Sequence, residues 1–311
     1  MTFDGRIAFL GLGNMGGPMA ANLVAAGFAV RGYDPVPEAA ERAEAAGVHC
    51  AASAIDAVSG ASVVITMLPS GDLVRACCDD VFAVAAPGTL FIDSSTVSVT
   101  DARAIHEQAV ERGFAQLDAP VSGGAKGATA GTLAFMVGGP AETFDAASPV
   151  FAPMAGKVIH CGESGAGQAA KVCNNMLLAV QQIAVGEAFL LAEKLGLSDQ
   201  ALYDVVTGAT GNCWAIESNC PVPGPVPASP AGHDFRPGFA TSLMNKDLGL
   251  AMDAVAETGS PAPLGSHAAA LYREFGAGHE GLDFSAIITD LARQAGPMSA
   301  RRRRTSDRLG R

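Results

Sequence analysis

A chain of 311 residues, 49% of them hydrophobic and 16% charged, can bury a large core and reads as a compact protein of two domains rather than a disordered one. Its net charge of −11 disfavours nucleic acid as a partner. No run reaches the roughly 18 unbroken apolar residues of a membrane span, so no membrane partner is expected; the most apolar helical run, Met176 to Leu191, is interrupted by Gln181, Gln182 and Glu187.

The charge is unevenly spread. The last eleven residues hold six arginines and one aspartate, a local +5, which leaves −16 on the body before them. The Arg301-Arg304 run follows the Gly296-Pro297 breaker and contains no aromatic residue, which predicts a solvated, disordered tail over 297–311. Seven cysteines show no metal-type C-x-x-C pairing, and no histidines form an H-x-x-x-H pair, so no metal is expected and the cysteines read as small buried hydrophobes in a reducing compartment.

From Arg6 to about Cys161 short apolar runs alternate with helical patterns. The runs are Arg6-Leu10, Ala29-Asp34, Val63-Leu68 and Leu90-Asp93, followed by Ala115-Asp118, Ala134-Val137 and Lys157-Cys161. Helical patterns such as Pro18-Ala26, Pro37-Ala46 and Val99-Arg112 lie between them. This alternation predicts an α/β domain with a mostly parallel sheet covered on both faces. A first strand beginning near Arg6 leaves no space for a signal or transit peptide, and a cytoplasmic location is expected.

Gly11-Leu12-Gly13-Asn14-Met15-Gly16 follows the first strand and opens a helix. In that context the first Gly permits the turn, the second lets backbone approach a pyrophosphate, and the third allows close helix packing. The second strand ends at Asp34, about twenty residues on, where a carboxylate accepts ribose hydroxyls and repels a 2′-phosphate. A Rossmann-type domain binding NAD in preference to NADP is therefore predicted. Arg31 lies within the strand and reads as a residue pointing away from the ligand. The loops Met67-Leu68-Pro69-Ser70 and Asp93-Ser94-Ser95-Thr96 end strands on the same edge and are expected to wall the cofactor, with Met67, Leu68, Pro69, Ser95 and Thr96 in contact with it. The Ser/Thr cluster reads equally well as an N-cap for the helix that follows.

Asp118-Ala119-Pro120-Val121-Ser122-Gly123-Gly124 is the next strand end. Its small residues present bare N–H groups that suit a carboxylate, and an ordinary Gly turn fits them as well. After Gly165 the period changes to helical. One helix runs from Ala166 to about Leu195, on the order of 45 Å, and ends at Gly196. Further helices are expected at Ser198-Thr207, Leu243-Thr258, Leu264-Phe275 and Phe284-Arg293, with an extended loop of six prolines from Cys220 to Pro237. The expected division is residues 1–164, an NAD-binding domain, then 165–296, an all-α domain for substrate and oligomerisation. Lys171, one of only five lysines, stands near the start of the long helix with Gln168, Asn174 and Asn175 at i−3, i+3 and i+4. This is a polar stripe on an apolar helix, and it marks an acid/base candidate.

Together the Gly11-Gly16 loop, Asp118-Gly124, Gly165-Met176 and Asn245-Lys246-Asp247-Leu248-Gly249-Leu250 resemble the β-hydroxyacid dehydrogenase family, in family order and over residues 6 to about 294. The resemblance implies that Lys171 is the general acid/base and that Ser122, Gly123 and Gly124 bind a substrate carboxylate. Asn175 would contact substrate, and Lys246 would reach the nicotinamide end of NAD; from the residues alone, Lys246 is simply neutralised by Asp247. Gly211-Asn212-Cys213-Trp214 and Pro221-Val222-Pro223-Gly224 resemble the branch that oxidises 3-hydroxyisobutyrate to methylmalonate semialdehyde in valine catabolism, although Cys220 and Asn212 depart from its usual residues. Trp214, the only tryptophan, would wall the substrate pocket or lie in the core.

The implied reaction asks Lys171 to work as a base. Moving a lysine from about 10.4 to about 7 or 8 takes roughly 3 to 4.5 kcal/mol of bias against its charged form. Burial and a second cation, Lys246, both push that way. A tartronate or succinic semialdehyde reductase is the sister alternative. A non-catalytic dinucleotide-binding module recruited through its arginine tail is the alternative of another class, and loss of Lys171 would be its signature. A homodimer or homotetramer is expected, because one small domain cannot cover so long an apolar helix.

Overall fold

The computed structural model describes residues 5–294; the tail reading for 297–311 lies outside the described residues. The described residues divide into two compact units, 5–174 with Asp253–Ser260, and Asn175–Met252 with 261–294.

In the first unit, β1 (Arg6–Leu10), α1 (Gly16–Ala25), β2 (Ala29–Tyr33), α2 (Pro37–Ala45), β3 (His49–Cys50), α3 (Ala54–Val58), β4 (Val63–Thr66), α4 (Gly71–Phe82), β5 (Leu90–Asp93), α5 (Val99–Glu111) and β6 (Ala115–Asp118) follow one another. Then come β7 (Val121–Ser122), α6 (Gly124–Ala130), β8 (Leu133–Gly138), α7 (Ala141–Phe151) and β9 (Ala155–Gly162). The sheet order is β3-β2-β1-β4-β5-β6-β8-β7, with β9 on β8. Pairing is parallel from β3 through β6 and between β8 and β9, whereas β8 runs antiparallel to β6 and β7. Every residue of β4 and β5 is buried, as expected for central strands covered on both faces.

Alternate side chains feed two cores. Ile7, Phe9, Ile65, Ile92 and Leu117 pack on one face with Leu23 and Phe151. Ala8, Leu10, Val64 and Phe91 pack on the other with Ile105, Phe82 and Phe114. The period of two along each strand dictates this division. Ser53, Ser70 and Ser98 each accept the N–H three residues on, which starts α3, α4 and α5 beside the carboxyl ends of the strands.

α8 (Ala166–Leu195) is continuous for 30 residues. It is long and apolar enough to cross a membrane by those measures alone, yet Ala179, Ile183 and Phe189 are buried in the cores of the second unit. That unit adds α9 (Asp199–Thr207), α10 (Trp214–Glu217), most of α11 (Thr241–Thr258), α12 (Pro263–Gly276), a 3-10 turn at Phe284–Ile287 and α13 (Ile288–Gln294). Ser198 caps α9 as its sequence indicates. The proline-rich segment before α11 is pinned by buried polar groups: Gln182 and Asn219 pair reciprocally, and Asp283 accepts from Asn219 and from the N–H groups of Gly238 and Phe239.

The fold is therefore an N-terminal Rossmann-type α/β domain with a mostly parallel sheet, followed by an all-α domain. Among the described residues all seven cysteines are free; only Cys78 and Cys220 are buried, and Cys173 is exposed on α8, so the expectation of uniformly buried thiols fails there. No group of three or more His, Cys, Asp or Glu side chains converges as a metal site among them.

Candidate active site

The glycine-rich turn joins β1 to α1. Gly11 has φ +96°, and a Cβ on it would collide with the Met67 carbonyl oxygen. A Cβ on Gly16 would collide with the Gly11 carbonyl oxygen. Packing within the protein therefore demands both glycines. Gly13 differs, because a Cβ there would meet nothing within 4 Å. It lies exposed with Asn14 at the tip of the turn, with Met15 half-buried behind them. The open space at Gly13 is a cradle that a side chain would fill, as a backbone approaching a dinucleotide pyrophosphate requires.

Asp34 is half-buried just past β2. Its Oδ2 accepts the Leu12 N–H at 2.7 Å and its Oδ1 accepts the Val36 N–H at 2.9 Å. Each oxygen keeps a second lone pair for a ribose hydroxyl. Arg31 points to Asp56 instead, with Nη2 2.8 Å from Oδ1, which holds the Asp56 carboxyl below its ordinary value. The donor set suits NAD: an acceptor stands at the strand end, and the nearby guanidinium already has a carboxylate.

The loops after β4 and β5 are tied to each other. Ser95 Oγ accepts the Leu68 N–H at 2.8 Å, and the Ser95 N–H donates to Asp93 Oδ1 at 3.0 Å. Thr66 Oγ1 donates to the same Asp93 oxygen at 2.7 Å. Ser95 is thus buried, whereas Met67, Leu68 and Thr96 are half-buried and Pro69 is exposed. Ser98, rather than Ser94 to Thr96, caps α5. Asp93 is fully enclosed and its Oδ2 has no hydrogen-bond partner among the described residues. Burial pushes its carboxyl up to about 6, against the hydrogen bonds from Ser95 and Thr66.

Lys171 lies in the second turn of α8 and is 6% exposed. Its Nζ donates to the Val121 carbonyl oxygen at 2.9 Å. Val121 immediately precedes Ser122, Gly123 and Gly124, so the ammonium-bearing side chain and the small-residue loop share one locality. Gly123 has φ +130° and Gly124 φ +60°; Gly123 is exposed where α6 begins. Asp118, fully buried at the end of β6, accepts the N–H groups of Gly165 and Gln168 at 2.7 and 2.9 Å. Burial raises the Asp118 carboxyl, and those N–H groups oppose the rise.

In the second unit, Asn175 is buried and its Nδ2 donates to Asp247 Oδ2 on α11. Asp247 therefore orients the amide that the sequence marks for substrate. Lys246 is half-buried on the same helix. Trp214 is 52% exposed at the start of α10, which excludes a core role within its unit. The polar stripe around Lys171 divides in the same way: Gln168 and Asn175 are buried and Asn174 is exposed.

Sequence reasoning passed over Asp93, Gln168 and Asp247 as functional groups, and treated Asp118 only as a strand end. Their partners lie up to 73 residues away, beyond any local spacing rule. The one available signal was a carboxylate or amide in an otherwise apolar segment.

This edge, with its glycine cradle, strand-end acceptor and buried lysine, defines a dinucleotide-dependent dehydrogenase. Residues 6–162 match the NAD-binding domain of 6-phosphogluconate dehydrogenase, and residues 165–291 match the domain described as NAD-binding of NADP-dependent 3-hydroxyisobutyrate dehydrogenase. A Mycobacterium tuberculosis protein named probable 3-hydroxyisobutyrate dehydrogenase is 69% identical over 289 residues, covering 93% of this chain and 98% of that one. The NAD-dependent L-serine dehydrogenase of Pseudomonas aeruginosa is 49% identical over 271 residues, 86% of this chain and 91% of that one. The solved structure of Mycobacterium tuberculosis 3-hydroxyisobutyrate dehydrogenase with L-serine has a TM-score of 0.90 and 68% identity, over 94% of this chain and 99% of that one. The chain belongs to the 3-hydroxyisobutyrate dehydrogenase family of NAD-dependent oxidoreductases.

Proposed function

We propose that this protein oxidises 3-hydroxyisobutyrate to methylmalonate semialdehyde with NAD, in valine catabolism, with Lys171 as the general acid/base. The observation that carries this is the buried Lys171 Nζ, held 2.9 Å from the Val121 carbonyl and next to the Ser122-Gly124 loop. Bound NAD supplies the hydride acceptor. Deprotonated Lys171 takes the hydroxyl proton as the hydride leaves the carbinol carbon, while its remaining N–H groups keep the Val121 contact. In the reverse direction its ammonium returns the proton to the forming alkoxide.

Ser122, Gly123 and Gly124 hold the substrate carboxylate, two bonds from the carbinol carbon, and so set the distance to Lys171. Asn175, oriented by Asp247, contacts substrate. Lys246 serves the nicotinamide end, and Trp214 presents an exposed ring as a wall of the pocket. Gly11, Leu12, Gly13, Asn14, Met15 and Gly16 receive the pyrophosphate, and Asp34 receives the ribose. Met67, Leu68, Pro69, Ser95 and Thr96 wall the same edge.

L-Serine is a second reading, favoured by the P. aeruginosa relative and by the ligand of the M. tuberculosis structure. Serine shares the carboxylate, the central carbon and the hydroxymethyl group of 3-hydroxyisobutyrate, and carries an ammonium in place of the methyl. An apolar pocket wall would reject that charge. Steady-state assays on 3-hydroxyisobutyrate, L-serine, and tartronate and succinic semialdehydes, each with both cofactors, separate these readings. The highest kcat/KM is expected for 3-hydroxyisobutyrate with NAD. Lys171→Ala should abolish turnover with NADH affinity nearly unchanged, and retained turnover would overturn the acid/base role.

The assembly is proposed to be a homodimer or homotetramer in the cytoplasm. Leu177, Leu191 and Leu195 form an exposed apolar seam along α8, with Leu264 exposed as well. A second copy is the natural cover for such a seam. Light scattering coupled to size exclusion tests it, and a monomer would refute it.

A further inference from the structure

α8 is started in an unusual way. The first N–H groups of a helix have no partner within it, and a residue just before the helix normally supplies one. Ser53, Ser70, Ser98 and Ser198 do so for their own helices in this chain. Ahead of α8 a serine stands in the approach, yet Ser164 Oγ is buried and makes no hydrogen bond among the described residues. The Glu163 carbonyl takes the Ala166 N–H, and the side-chain acceptor comes from Asp118, 47 residues earlier, which takes Gly165 N–H on one oxygen and Gln168 N–H on the other. A local cap travels with its helix. A cap from β6 fixes the helix to the sheet.

Two glycines make the joint tight. A Cβ on Gly167 would collide with the Met136 carbonyl oxygen and come within 2.7 Å of the Asp118 carbonyl oxygen. A Cβ on Gly138 would collide with Asp118 Oδ1 and come within 2.8 Å of the Gly167 nitrogen. Gln168, fully buried, locks the same turn to another loop: its Nε2 donates to the Ser95 carbonyl oxygen at 2.7 Å, and its Oε1 accepts the Val97 N–H at 3.2 Å. Lys171 follows Gln168 by three residues, so the two side chains share a helix face. Lys171 Nζ then reaches Val121, three residues after Asp118. The ring closes on itself through Asp118, the first turn of α8, Lys171 and Val121.

We infer that Asp118 and Gln168 are positioning residues for the proton-transfer step: they set the register of α8 against the Ala119-Gly124 loop and so place Lys171 Nζ. This rests on the reading of Lys171 as acid/base. A displacement of about 1 Å at a reacting group costs on the order of 100-fold in rate. Asp118→Asn sets an amide N–H against one of the two helix N–H groups. Gln168→Met keeps the length of the side chain and removes both of its hydrogen bonds.

The test compares full-length wild type, Asp118→Asn, Gln168→Met, Gln168→Glu and Lys171→Ala. The readouts are kcat, KM for 3-hydroxyisobutyrate, NADH affinity by fluorescence, folding by circular dichroism, and the deuterium isotope effect on kcat with substrate labelled at the carbinol carbon. The expected result for Asp118→Asn and Gln168→Met is a kcat lower by about 10- to 100-fold, with a larger isotope effect and with KM and NADH affinity within about threefold of wild type. Gln168→Glu, which keeps the acceptor for Val97 and loses the donor to Ser95, should lie between Gln168→Met and wild type. If Asp118→Asn does not fold, Gln168→Met decides. An inactive Lys171→Ala beside a Gln168→Met of normal kcat overturns the inference alone, and so does a loss of kcat matched by an equal loss of NADH affinity. An active Lys171→Ala overturns the underlying reading of Lys171.

Discussion

Asp34 accepts the Leu12 N–H at 2.7 Å, so the carboxylate proposed to meet a ribose also holds the glycine-rich turn against the end of β2. Its removal should act on both. Asp34→Ala is expected to weaken NAD binding about tenfold, the worth of one charge-assisted hydrogen bond, and to raise the ratio of kcat/KM with NADP to that with NAD. Steady-state kinetics with the two cofactors check this. A wild type that already prefers NADP would show that the ribose argument is wrong.

The glycines of the turn should separate stability from binding. Gly11→Ala forces a Cβ into the Met67 carbonyl at positive φ, and Gly16→Ala meets the Gly11 carbonyl. Each should cost several kcal/mol and lower Tm strongly. Gly13→Ala meets open space in the protein and should leave Tm unchanged while reducing NADH affinity. Thermal melts and fluorescence titration give both numbers. Equal destabilisation at all three positions would remove the argument for a cradle at Gly13.

Asp93 predicts a pH dependence of stability. Its folded-state pKa of about 6 lies above the ordinary 3.8, so between these values the folded state holds its proton more firmly than the unfolded chain. The stabilising contribution is complete below about pH 4 and is lost as pH rises through 6. That rise in pKa corresponds to about 3 kcal/mol. Asp93→Asn keeps an acceptor for Thr66 and Ser95 without the buried charge. It should melt on the order of 5 °C above wild type at pH 7.5, with the gap closing near pH 4. A gap independent of pH would contradict the assignment.

Asp247 should act on substrate through Asn175. Asp247→Ala removes the carboxylate that accepts from the buried Asn175 Nδ2. KM for 3-hydroxyisobutyrate should rise about five- to twentyfold, roughly 1 to 2 kcal/mol for a lost hydrogen bond to a charged group, while KM for NAD holds. Initial-rate kinetics with each substrate varied in turn distinguish this from a general loss of activity.

Much of the fold was legible because its signals are local. The strand ends Asp93 and Asp118, the Gly11-Gly16 turn and the thirty-residue α8 all appear where run length, glycine spacing and apolar period place them, and Asp34 falls one residue past the end of β2 at Tyr33. The two-residue β3 and five-residue α3 are too short for any period to register. For Trp214 the local pattern left core and pocket wall open, and the packing of its unit leaves the ring exposed.

By itself the sequence determined the α/β-then-α order, the glycine-rich turn after the first strand, the carboxylate that follows the second and the lysine near the start of a long apolar helix, because each is written within a few tens of residues. Tertiary structure alone decided what that lysine touches and what holds it still. Asp118 capping a helix 47 residues away, Gln168 bridging to Ser95 and Val97, and Asp247 orienting Asn175 are hydrogen bonds between distant segments. They form because burial leaves these polar groups no water to bond with, and only the packed chain brings their partners within reach.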